Sequence, residues 1–255
     1  MPVKSPFPDP ALPPLKRPPI ELIIGQVRVP LVLQLLEPAG VGRFYDRVKR
    51  DYPHLRREEQ VAIRLSPEDA PRGESVSLWR LEDAAHAWTL TVAPDYVAIE
   101  TREYQAFDEF RDRLVVATSA FVEVFEIPLR LRVGLRYVDR FDREKYPYLE
   151  GDWLRSTSEK LLGLASLVRG VEQRSFVEHR LALSASWGLT FRASGGQAGD
   201  AGTGKDELTL DVDAFNLEEA GFQDLAEILV QLKRLNYGAF AWAAGGIVDR
   251  LERRS

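Results

Sequence analysis

Residues 129–137 read LRLRVGLRY, a strict alternation of apolar with basic or glycine positions. A period of two residues is typical of a β-strand that has one side against a core and the other side towards solvent. The stretch therefore predicts a half-buried strand. Its arginines, Arg130, Arg132 and Arg136, are predicted to project from one face, and Arg140 extends the row if the strand continues.

Similar alternation on both sides of this stretch predicts further strands. The predicted ranges are 20–29, 61–65, 76–82, 88–93 and 96–101 before it, and 177–191 and 208–215 after it. In the first range the apolar positions change parity at Gly25, which predicts a β-bulge there. The range 177–191 keeps one parity throughout and is predicted as a single long strand.

Helical periodicity separates these strands. Apolar residues recur every three or four positions in segments that predict helices, namely 38–53, 107–125 and 153–168, and a long terminal helix from Phe222 that bends near Gly245. Strands grouped into meanders between helices are typical of the α+β class. We expect two related modules, each an antiparallel meander sheet with helices packed on one face.

The domain boundaries follow from this order of elements. Eight of the sixteen prolines lie in residues 1–19, which predicts an extended proline-rich arm. We expect the first module over residues 20–127 and the second, with the long C-terminal helix, over residues 128–255. A single sheet that continues through both modules is an open alternative.

Composition restricts the class of protein. The 255 residues are 45% hydrophobic, contain no cysteine and carry a formal net charge of −5. These values exclude extended disorder, disulfides and thiolate metal sites. No apolar run is long enough to span a membrane, and no secretory signal opens the chain, so we expect a cytoplasmic protein. Its three histidines are far apart in sequence, and we expect no cofactor.

Three segments resemble those of an uncharacterised family of prokaryotic proteins of about this length, which is distributed sporadically across lineages. The segments are PPIE (18–21), GLRYVDR (134–140) and LDVDAF (210–215), followed by the long terminal helix. In that family the residue that matches Asp139 is commonly asparagine. The resemblance implies the α+β fold, and it implies no catalytic residues.

The arginine row has three interpretations. Cross-strand ion pairing of Arg132 or Arg136 with Asp211 or Asp213 would leave a solvated face without a ligand. Alternatively, the row Arg130, Arg132, Arg136 and Arg140 could bind a polyanion such as RNA or DNA, although the excess of acidic residues weighs against it. In a third interpretation the sheet encloses a polar interior, where arginines hold phosphates and Asp211 and Asp213, weak candidates, hold a metal.

The C-terminal helix indicates a partner. Residues 239–244 are apolar on nearly all sides of a helix, so they require burial within the chain or against another chain. We take Phe240, Trp242 and Ile247 as interface candidates for a homodimer or a protein partner. The sequence thus favours a binding protein without enzyme activity. The first alternative is a protein that binds, and could cleave, RNA or DNA, and the second alternative is a metal-dependent phosphohydrolase.

Overall fold

A computed structural model describes residues 3–7, 15, 18–37, 39–64, 72–142, 173–197 and 207–253. The strands are β1 (Ile20–Arg28), β2 (His54–Arg64), β3 (Arg72–Glu82), β4 (Trp88–Ala93), β5 (Tyr96–Thr101), β6 (Arg132–Asp142), β7 (Gln173–Ala182), β8 (Trp187–Gln197) and β9 (Glu207–Asn216). The helices are α1 (Gly42–Val48), α2 (Phe107–Phe125), α3 (Leu225–Ala244) and α4 (Gly246–Arg253), with a 3-10 turn at Leu33–Leu36.

The nine strands form one antiparallel sheet, which confirms the α+β class. Their order is β2-β3-β4-β5-β1-β6-β9-β8-β7, so β2 and β7 are the edge strands. Neighbours along each meander are paired residue by residue, for example Arg192 opposite Asp211 and Glu178 opposite Arg192. The alternative of one continuous sheet is therefore the observed arrangement.

The chain divides into two compact units. The first unit contains residues 24–133 and 217–226, and the second contains residues 1–23, 134–216 and 227–255. In the strand order, β1 lies beside β5, the last strand of the first meander, and β6 lies beside β9, the last strand of the second. This correspondence is what related modules would show, and their relationship stays a prediction.

Helix α2 covers one side of the first unit. Its phenylalanines follow the predicted helical period, and Phe110, Leu114 and Phe121 are fully buried. The Phe110 ring lies 6.0 Å from that of Trp88 on β4, and the Phe121 ring meets that of Phe44 on α1 edge to face at 5.7 Å. Apolar burial of this kind, at about 1.5–3 kcal/mol for each large side chain, holds the helix on the sheet.

Helix α3 plays the same part in the second unit. Phe240 stacks on Phe141 of β6 with ring centroids 6.3 Å apart, and the Asn236 amide donates to the carbonyl of Leu135 at 2.9 Å. The helix ends at Ala244, and the next residue, Gly245, has a φ of 52°, in the left-handed region that glycine adopts without steric cost. The predicted bend is thus a break between α3 and α4.

Two predictions about strands are wrong. The range 177–191 is a hairpin, because the chain reverses between Ala182 and Trp187. The Ser184 hydroxyl accepts a hydrogen bond from the Trp187 N–H at 3.2 Å, so a serine closes the turn without glycine or proline. Burial in β1 alternates without interruption at Ile23, Gly25 and Val27, so no change of parity occurs at Gly25.

Gly25 has a packing role instead. A Cβ atom at this position would lie 2.5 Å from Leu114 Cδ2 and 3.0 Å from Phe110 Cε1. The missing side chain lets α2 approach the sheet closely. The helix predicted over 153–168 lies outside the described residues, as does most of the proline-rich arm.

Candidate functional site

The arginine row of β6 faces carboxylates on the neighbouring strand. The Arg136 guanidinium donates two hydrogen bonds to Asp211, from Nε to Oδ1 at 2.7 Å and from Nη2 to Oδ2 at 2.8 Å. This bidentate geometry raises the pKa of Arg136 above its ordinary value, while partial burial works in the opposite direction. The charge of Asp213 raises it further. Cross-strand ion pairing, the first of the three interpretations, is therefore present here.

The ion pairs continue across the second unit. Arg192 on β8 donates to Asp211 at 3.3 Å and to Glu178 on β7 at 2.7 Å, and Glu178 also accepts from Arg180 at 2.9 Å. We call these five side chains, Arg136, Asp211, Arg192, Glu178 and Arg180, the charged ladder. The side chain of Arg136 is 41% exposed while that of Asp211 is 12% exposed, so the guanidinium lies outermost there.

Arg140 and Arg132 extend this row with weaker contacts. Arg140 Nη2 donates to Glu207 at 3.2 Å, and its Nη1 lies 3.9 Å from Glu21. Arg132 donates to the Gln26 side chain at 3.2 Å. Each arginine of β6 that was predicted to bind a polyanion thus contacts an acceptor side chain of the protein itself. These contacts favour internal pairing over an open anion site.

Arg130 departs from the predicted row. It precedes β6 and pairs only as an isolated bridge with Ala220, and its side chain is fully buried. There it contacts Asp224, the residue before α3, with Nη2 donating to Oδ2 at 3.2 Å. Alternation in sequence cannot distinguish a strand from the extended approach to one. Arg130 is a buried partner of Asp224 and does not belong to an exposed polyanion face.

The weak metal candidates do not gather into a metal site. Both oxygens of Asp211 accept hydrogen bonds from arginine. Across the parts of the chain that the structure describes, no group of three or more histidine, aspartate or glutamate side chains is placed to hold a metal ion. The arrangement therefore gives the phosphohydrolase interpretation no support.

A histidine pair occupies the first unit. The rings of His54 and His86 stack 4.7 Å apart, and His86 Nδ1 lies 2.7 Å from Glu82 Oε2. That hydrogen bond lowers the pKa of Glu82, as does the charge of Arg56, although burial opposes both. The pair is held by stacking and one carboxylate.

Asp139 is the most perturbed acid that the structure describes. It lies on the same side of β6 as Leu135 and Phe141 and is 4% exposed. Burial raises its pKa to about 8, with no compensating charge. A carboxyl in this position is mostly protonated, and therefore uncharged, at neutral pH.

The three interface candidates of the C-terminal helices pack within the second unit. Phe240 and Ile247 are buried, and Trp242 lies between the rings of Phe7 and Phe191, at 6.0 and 6.2 Å. Burial within the chain, one of the two expected explanations, accounts for this apolar stretch. The residues do not form an exposed docking surface.

A different apolar surface lies open, and no periodicity in the sequence predicted it. Leu31, Leu33 and Leu36 are 57%, 66% and 53% exposed. Val32 is extended, so Leu31 and Leu33 lie on one side of it, and positions three apart in a 3-10 turn share a side, which adds Leu36. The only signal was the density of leucine in a segment that matches neither helical nor strand periodicity.

This leucine surface rests on a fixed backbone. Val29 N–H donates to Asp95 O at 2.9 Å and Val32 N–H donates to Pro94 O at 2.7 Å. Val32 and Leu35, also three apart, point the other way and are buried. The exposed leucines are therefore held in place by the buried side of the same segment.

No family model matches the chain, and a search among curated proteins finds no match either. The resemblance to the uncharacterised prokaryotic family stays a prediction. Among the described helices, none has the length and apolar character needed to cross a membrane.

Proposed function

We propose that this protein is a non-enzymatic binding protein whose docking surface is the leucine surface of residues 31–36. The observation that carries the proposal is the exposure of three large leucines on one side of a short, anchored segment. Single exposed leucines are ordinary on protein surfaces, whereas a contiguous apolar patch is typical of an interaction site.

The partner we propose is a protein segment with an apolar face bordered by a basic residue. Glu37 follows the surface directly, is exposed and makes no ion pair with another described residue. Arg28, three residues before Leu31, is already paired with Asp95. A basic side chain beside the apolar face would thus find an acidic group within the docking surface.

The energy available suits reversible binding. Complete burial of a leucine is worth about 1.5–3 kcal/mol, so the exposed halves of three leucines contribute roughly 1 kcal/mol each. Because the backbone is already held at Val29 and Val32, little ordering opposes association. A total of about 3 kcal/mol corresponds to a dissociation constant in the millimolar range, so the leucines alone give weak binding, and a tighter complex needs further contacts such as a basic residue against Glu37.

A peptide-display selection tests the proposal. Selection on the wild-type protein should enrich peptides that combine apolar residues with lysine or arginine. Their affinity should fall at least about tenfold in a Leu33→Gln/Leu36→Gln variant. Glu37→Lys should weaken the basic peptides alone. Val116→Gln, which alters a comparably exposed apolar residue on α2, is the matched control and should change nothing.

Two outcomes would reject the proposal. One is enrichment of peptides whose binding is the same in the leucine double variant. The other is RNA binding that weakens steeply with salt and is lost in Arg136→Glu, since this would support the nucleic-acid prediction instead.

A further inference from the structure

Strand β7 ends the sheet on the side of the second unit. In the described part of the chain no strand pairs beyond it, and its side chains include Phe176 at 67% and Leu181 at 37% exposure. A long edge strand with apolar side chains is a template for pairing with another strand, and proteins without such a partner usually blunt it.

The hydrogen bonds to β8 show which groups of β7 face the free edge. Leu183 N–H donates to Trp187 O at 2.8 Å. The residue pairs that β7 forms with β8, such as Leu181 with Leu189, continue the same register. Since hydrogen-bonded and non-hydrogen-bonded pairs alternate in an antiparallel ladder, the odd residues 175–181 bond to β8. The N–H and C=O groups of Phe176, Glu178, Arg180 and Ala182 therefore point outwards.

A second β7 can dock on these groups in only a few registers. About a two-fold axis, the outward residues can place Glu178 opposite itself, Arg180 opposite itself, or Glu178 opposite Arg180. The first two registers oppose like charges, which destabilises a strand pair. The third pairs opposite charges twice, and it also places Val177 opposite Leu181 and Phe176 opposite Ala182.

We propose that two copies of this chain associate through antiparallel β7–β7 pairing centred on His179. The sequence FVEHRLA (176–182) is its own complement in this register, apolar at both ends and oppositely charged on either side of the centre. An isologous contact of this kind is the commonest basis of homodimers. The inference uses a different unit from the leucine surface and does not depend on the proposed function.

The existing contacts of Glu178 permit the exchange. Its Oε2 atom accepts from Arg192 of β8 at 2.7 Å, and its Oε1 atom accepts from Arg180 of the same strand. The Arg180 side chain is 78% exposed and can turn to the opposite strand. In the dimer, the Arg180 guanidinium of the second copy donates to Glu178 Oε1 in place of Arg180 of the same strand. Neither charge is therefore left unpaired.

Charge reversal with mixing tests the register. Glu178→Arg and Arg180→Glu should each be monomeric, because each opposes like charges across the axis. An equimolar mixture should restore the dimer as a heterodimer, since one chain then carries two cations and the other two anions. Sedimentation velocity measures the change, and circular dichroism confirms that each variant is folded. Glu59→Arg and Arg57→Glu on the opposite edge strand β2 are matched controls that should dimerise like the wild type.

Disulfide trapping gives a second test that does not alter these charges. The chain has no cysteine, so His179→Cys introduces a single thiol. In a non-hydrogen-bonded antiparallel pair the Cα atoms lie about 4.5 Å apart, within the range of a disulfide. Oxidised glutathione should cross-link His179→Cys efficiently and Leu181→Cys poorly, because Leu181 lies opposite Val177.

Several results would overturn the inference. They are a wild type that stays monomeric at all concentrations, folded charge variants that dimerise separately as well as when mixed, and equal cross-linking at positions 179 and 181. None of them bears on peptide binding at the leucine surface, so the two proposals succeed or fail independently.

Discussion

Asp139 is a single residue whose burial couples stability to pH. Its pKa is raised to about 8 in the folded protein, while an unfolded aspartate has an ordinary value of 3.8. The folded state therefore binds a proton that the unfolded state releases. This contribution to stability is fully present below about pH 4 and is lost as the pH rises to about 8, at roughly 1.4 kcal/mol per pH unit.

An isosteric variant isolates this effect. Asp139→Asn has no proton to lose, so its free energy of unfolding should exceed that of the wild type increasingly as the pH rises towards 8, and by a constant amount above that pH. Urea denaturation of both proteins between pH 5 and 9 measures the difference. Glu123→Gln, an exposed acid on α2, is the control and should leave the wild-type slope intact. Parallel pH profiles for wild type and Asp139→Asn would contradict the prediction.

Arg130 tests the cost of a buried charge. Asp224→Ala leaves the fully buried guanidinium without its carboxylate, which we expect to destabilise the protein by roughly 2–3 kcal/mol, below the 3–5 kcal/mol of a fully buried pair because Asp224 is half exposed. Arg130→Met removes the charge together with its desolvation and should cost less. Chemical denaturation ranks the two variants, and the reverse order would show that the ion pair itself is the larger contribution.

At the scale of elements, alanine substitutions at two glycines distinguish the effect of close packing from that of helix propensity. Gly25→Ala places a Cβ atom against Leu114 and Phe110, and the overpacking should cost about 1–3 kcal/mol. Gly42 in α1 has no atom within 4 Å of such a Cβ, so Gly42→Ala should be neutral or stabilise by up to about 1 kcal/mol through helix propensity. In thermal denaturation, a Gly25→Ala penalty that becomes smaller in a Leu114→Ala background identifies the contact with Leu114; an unchanged penalty would refute it.

Elements were predictable where one periodicity acts alone. The bounds of β4 and β5, residues 88–93 and 96–101, agree with the prediction from alternation, and α2 follows its phenylalanine period. The hairpin between β7 and β8 was missed because Ser184 closes the turn and parity runs through it. The ion pair between Arg136 and Asp211 was partly predictable, since each residue lies on a charged face of its strand.

The rest depends on long-range contacts that local patterns do not encode. Nothing near Arg130 in sequence indicates Asp224, 94 positions away. The leucine surface is equally hidden, because the exposure of Leu33 depends on how Val32 and Leu35 are anchored. Sequence patterns therefore describe the strands of this sheet better than its surfaces.

At the scale of the whole molecule, neither unit is a continuous stretch of chain. The division between the units falls inside β1 after Ile23 and inside β6 after Val133, and the first unit also takes residues 217–226. Separable domains usually meet in exposed linkers that few contacts cross. A cut after residue 127, where the sequence places the module boundary, therefore removes 1–23 from the second unit and both 128–133 and 217–226 from the first.

We expect neither fragment, 1–127 or 128–255, to fold alone. Each fragment lacks segments of its own unit, so its apolar residues have an incomplete core in which to be buried. Far-ultraviolet circular dichroism should show no cooperative thermal transition for either fragment, whereas the intact chain should melt cooperatively. Mixing the fragments should restore part of the transition, because the missing segments are then supplied in trans. A cooperative transition for 128–255 by itself would show that its remaining strands suffice and that residues 1–23 are dispensable to the second unit.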